Sequence, residues 1–95
     1  MADEEAVLPP DPPPEHKAHL RVKFRGNHQY PFAAFEYSED GTKKVFRATL
    51  GCAFTQYAAE RIARACYVML FDEGKSWQEA TEFRDECYKR LEAAR

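Results

Sequence analysis

Apolar and polar positions along this chain switch period twice. In residues 19–25, HLRVKFR, they alternate without error: Leu20, Val22 and Phe24 fall on one side, Arg21, Lys23 and Arg25 on the other. Period-two alternation predicts a half-buried strand. Residues 32–38, FAAFEYS, and 43–50, KKVFRATL, predict two more strands, and Gly26-Asn27-His28-Gln29 supplies a turn after the first. Asp40-Gly41 joins the second and third strands. Both residues tolerate positive φ, which a two-residue hairpin loop requires. That loop pairs Phe35 with Phe46 and Ala33 with Ala48 on one face, and Glu36 with Val45 and Ala34 with Arg47 on the other.

After the connector Gly51-Cys52-Ala53-Phe54 the period becomes helical. In residues 55–70, TQYAAERIARACYVML, one broad face carries Ala58, Ala59, Ile62, Ala63, Cys66, Met69 and Leu70, with Glu60, Arg61 and Arg64 opposite. Thr55 is the expected N-cap. The alanines let this helix lie close against the sheet. Gly74 suits a left-handed helix end. Ser76 and Glu79 then form a capping box that opens a final helix over residues 77–94. Trp77, Ala80, Phe83, Cys87, Tyr88 and Leu91 share one arc of it, interrupted only by Arg84. The expected fold is α+β: a three-stranded antiparallel meander backed by one helix, with a second, C-terminal amphipathic helix.

The start of the chain, MADEEAVLPPDPPP, is different. Pro9, Pro10, Pro12, Pro13 and Pro14 remove amide donors and restrict the preceding residues, so neither helix nor sheet runs through it. Residues 1–15 therefore read as a disordered, acidic, proline-rich tail, and 16–95 as one domain. Such a tail serves as solvated spacer, as a peptide for a proline-reading domain, or as an acidic mask over a basic surface.

Charge changes the picture where composition does not. The net charge is −2. The tail carries Asp3, Glu4, Glu5, Asp11 and Glu15 and no base, while the sheet and first long helix are basic. Cys52, Cys66 and Cys87 are odd in number and widely spaced, which predicts no disulfide framework and an intracellular, reducing compartment, nucleus or cytoplasm. No run has the ~20 apolar residues of a membrane span. No close Cys or His pair of the kind zinc sites use is present, so no metal or cofactor is expected. Cys66 and Cys87 fall on apolar helix faces, and no phosphate-cradling glycine loop occurs, so no enzyme is expected.

The informative constellation is the open sheet face: Arg21, Lys23, Arg25 and Arg47, with Phe32 and Tyr30 near them. Arginine reads guanine edges and lysine neutralises phosphate when a sheet enters the major groove. The same alternation also serves a face that carries charge only for solubility.

The basic strand Arg21-Val22-Lys23-Phe24-Arg25, the Asp40-Gly41 hairpin, and Leu50-Gly51 followed by Phe54-Thr55 and Ala58-Ala59 resemble the Apetala/ethylene-response-factor type DNA-binding domain. The resemblance covers about residues 20–70; the single tryptophan, Trp77, lies outside it. It implies a sheet in the major groove braced by the helix, with Arg21, Lys23, Arg25 and Arg47 facing double-stranded DNA. The other expectation is a protein-interaction module, such as a small phage-encoded, anti-CRISPR-like inhibitor that blocks a partner's nucleic-acid site. Its surface would be the outer helix face, Tyr57, Arg61 and Arg64.

Overall fold

The computed structural model describes residues 4–94; residues 1–3 of the expected tail, and residue 95, lie outside them. Its elements are α1 (Glu4–Val7), α2 (Ala18–Arg21), β1 (Lys23–Arg25), β2 (Phe32–Glu39), β3 (Thr42–Thr49), α3 (Leu50–Ala53), α4 (Gln56–Phe71) and α5 (Trp77–Ala93). The strands form one antiparallel sheet in the order β1-β2-β3. This is the expected α+β meander with its C-terminal helix.

The hairpin register is the expected one. Phe35 pairs with Phe46, Ala33 with Ala48, Ala34 with Arg47 and Glu36 with Val45. Asp40 and Gly41 both take positive φ, 52° and 79°, whose twist suits the two flanking strands. On the inner face the Phe35 and Phe46 rings stack with centroids 5.2 Å apart.

Helix α4 covers that face. Thr55 caps it by accepting from the Ala58 N–H at 3.0 Å. Ala58, Ala59, Ile62, Ala63 and Cys66 are completely buried, and Tyr67 meets the Phe35 ring edge-on at 5.3 Å. Helix α5 opens with the Ser76–Glu79 capping box. It lies beside α4, where the Cys66 thiol donates to the Ala80 carbonyl at 3.6 Å. It also guards the outer edge of β3: the Thr49 N–H donates to the Tyr88 hydroxyl, and Arg84 donates to the Arg47 carbonyl. An edge strand whose backbone groups are occupied is a poor template for further pairing.

Three segments differ from the pattern-based expectation. The first strand begins at Lys23, not at His19, because residues 18–21 form α2. Ala18 and Val22, four apart, are both buried, whereas Leu20 is 71% exposed. Helical spacing thus governs residues that also happen to alternate. The connector before α4 is likewise a helical turn, α3, closed by Phe54 at φ 75°.

The third difference is the expected tail: Glu4–Val7 form a helical turn, α1, and the prolines that follow are packed. Residues 8–16 are not a free tail: they run as a strap along α4. Leu8 is buried with the core. Arg61 donates to the Pro9 carbonyl, Arg64 makes two bonds to the Asp11 carboxylate at 2.7 and 3.1 Å, and His19 donates to the Pro12 carbonyl. His16 accepts the Ala18 N–H on Nδ1, which leaves Nε2 to donate to Asp72 at 2.5 Å. Proline forbids ladders but leaves each carbonyl open to a side-chain donor. Helix α4 supplies the donor to Pro9, and α2 the donor to Pro12.

Candidate nucleic-acid interface

The sheet's second face carries no helix. Its side chains stand in rows set by the register. Lys23 and Arg47 flank Ala34 on either side, and Arg25 flanks Phe32 in the next row. Strands lie about 4.8 Å apart, so the Lys23 and Arg47 backbones are about 10 Å apart across β2. The Arg47 guanidinium lies over the Phe32 ring, 4.7 Å from its centroid, and His28 meets the same ring edge-on at 5.0 Å. Phe32 is therefore only 8% exposed despite facing outward. Stacking holds Arg47 across the sheet rather than along it. Tyr30, in the turn before β2, is 69% exposed.

Arg21, expected on the open strand face with Lys23 and Arg25, sits instead on α2. The helical turn still brings it to the same surface. Lys17, Arg21, Lys23, Arg25 and Arg47 all border one shallow hollow of about 800 Å³. All four bases singled out from the sequence thus share one surface, and Lys17 joins them. The signal for Lys17 was its place just before the basic strand, but alternation stops short of it.

These cations differ in their partners from most of the others, Lys75 and Lys89 being the exceptions. Elsewhere Lys43 faces Glu36, Lys44 faces Glu39, Arg64 binds Asp11, Arg84 binds Asp85 and Arg90 faces Glu86, all within 4.0 Å. Among the described residues, none of the five around the hollow lies in such an ion pair. The one carboxylate that borders the hollow, Glu36, faces Lys43, so the five are left without a carboxylate partner of their own.

The three residues expected on an outer helix face fare differently. Tyr57 is 47% exposed, but Arg61 is 4% exposed and the Arg64 side chain 12%. The strap covers both arginines. The strap's Asp11 is held on α4, away from the sheet, so this acid does not mask the basic face.

Cysteine chemistry is quiet. Cys52 is exposed, Cys66 and Cys87 are buried, and all three are free thiols. Burial pushes the Cys87 thiol up to about 11 and the Cys66 thiol further, so both stay protonated and unreactive at neutral pH. Among the described residues no three His, Cys, Asp or Glu side chains gather as a metal site would need, and no helix is long and apolar enough to cross a membrane. Comparison with protein-family models, curated proteins and solved structures finds no match for this chain.

Proposed function

We propose that this protein is a small non-enzymatic binding module that takes double-stranded DNA on the open face of its sheet. One observation carries the reading: Lys17, Arg21, Lys23, Arg25 and Arg47 gather on one surface with none of them in an ion pair among the described residues, whereas Lys43, Lys44, Arg64, Arg84 and Arg90 each face a carboxylate and the other unpaired lysines, Lys75 and Lys89, lie outside that surface. A polyanion supplies the missing counter-charge. The helices brace the sheet from behind, so the face is presented as a rigid, twisted surface of the kind that enters a major groove. Lys23 and Arg25 contact phosphate in this reading. Arg47, oriented by Phe32, reads a base edge, with a guanine as its natural partner.

The competing expectation, a protein-interaction module acting through Tyr57, Arg61 and Arg64, has less to act with. Arg61 and Arg64 hold the strap, and Tyr57 alone of the three stays exposed.

The test is fluorescence anisotropy on a labelled random-sequence duplex at low salt. Lys23→Ala should weaken binding to all sequences alike, and Arg47→Ala should cost about 1–3 kcal/mol and relax preference at one base pair. Variants that stay folded and bind as the parent does would sink the reading.

A further inference from the structure

The hollow beside the basic rows is not purely polar. Leu20, Val45 and Phe71 are 71%, 44% and 47% exposed, and all three line it together with Lys17, Arg21 and Lys23. It exists because β1 is short. That strand pairs with β2 only along Phe32–Ala34, so from Phe35 onward this edge of β2 has no strand neighbour. The gap lies between α2 and the end of α4.

Phe71 ends a run of packed rings there. It stacks on Tyr67 at 4.3 Å with the planes 24° apart, and Tyr67 is fixed against the buried Phe35. Tyr37 holds Phe71 edge-on at 5.3 Å. The inner rings are buried, while the last one faces the hollow. An aromatic end-plate, the aliphatic Leu20 beside it and a rim of five cations against one carboxylate, Glu36, itself facing Lys43, together match a flat apolar group carrying negative charge.

We infer that the hollow takes an unpaired nucleotide: a base against Phe71 and Leu20, its phosphates on Lys17, Arg21 and Lys23. Base-on-aromatic stacking beside a cationic track is how single strands are held without sequence preference. The inference rests on the DNA-binding reading and refines it. A duplex lies on the rows of Lys23, Arg25 and Arg47, and a frayed or overhanging end enters the hollow next to them. An acyl chain or an acidic peptide offers charge or apolar surface but no plane for Phe71.

The experiment compares a blunt random-sequence duplex with the same duplex bearing a single-stranded dT overhang, using anisotropy on the full chain. The overhang should bind about tenfold tighter. In Phe71→Leu, which keeps apolar packing and removes the ring, the ratio should fall towards one. Leu20→Glu, at a side chain with little packing, should lower the ratio too and guards against a Phe71 variant that unfolds. Equal affinity for the two duplexes overturns the nucleotide hollow and leaves the sheet-face reading standing. No binding to either overturns both. Displacement of the overhang duplex by poly-aspartate as readily as by an oligo-dT of equal charge also overturns it, because charge alone would then suffice.

Discussion

At the residue scale the fold depends on a few buried side chains with no polar escape. Phe46 is 1% exposed, stacked on Phe35 and met edge-on by Trp77 at 5.2 Å. Phe46→Ala should cost about 3–5 kcal/mol, a large share of a small domain's stability; thermal unfolding reads it directly. The buried thiols make a second prediction. An ordinary thiol titrates near 9.0, whereas burial raises Cys87 to about 11. Above pH 9 the unfolded chain gives up a proton that the folded chain keeps. The folded state then binds more protons, so stability falls as pH rises. Cys87's share is intact below pH 9 and lost by about pH 11. Urea unfolding of Cys87→Ala should show a pH slope shallower than the parent's by up to ~1.4 kcal/mol per pH unit. Identical slopes would contradict the burial of this thiol.

At the element scale the strap decides what the rest of the molecule presents. Leu8 is 7% exposed within the core, so Leu8→Ala should cost about 2–5 kcal/mol. Its amide should be dispersed and protected in NMR spectra. Asp11→Ala should cost about 1–3 kcal/mol, because it strips Arg64 of two charge-assisted bonds; an unchanged melting temperature would mean the strap is not held this way. This is also the element that local pattern could not reveal. Five prolines exclude helix and strand over residues 9–14 but not before them, where Glu4–Val7 form α1, and the step from there to disorder ignores tertiary donors. Arg61 and Arg64 read as a solvated face because their partners lie some fifty residues away. The hairpin was legible for the opposite reason. Its turn residues Asp40-Gly41 and its facing pair Phe35 and Phe46 sit within a dozen residues, so loop length and alternation give the same register. The capping box at Ser76 is equally local. Residues 18–22 lay between these cases: they alternate, yet Ala18 and Val22 at helical spacing are the pair that packs.

At the scale of the whole molecule, layering separates the charges. The sheet exposes its basic face on one side, α4 and α5 fill the middle, and the strap closes the far side. The net charge of −2 hides this arrangement, because Asp11 is spent on Arg64 and the acids of α5 lie off the sheet. Four of the cations were readable from the sequence as one set, and the structure gathers them although Arg21 reaches the surface from a helix. Lys17 and the apolar floor beside it were not readable, since they meet only where β1 begins late, at Lys23. The most direct test is the salt dependence of binding to a random-sequence duplex between about 50 and 200 mM salt. Three or four phosphates neutralised together should give a slope of log K against log salt near −3 to −4, and Lys23→Ala should flatten it by about one. A folded protein that shows no binding even at the lowest salt, or a slope near zero, would contradict the account.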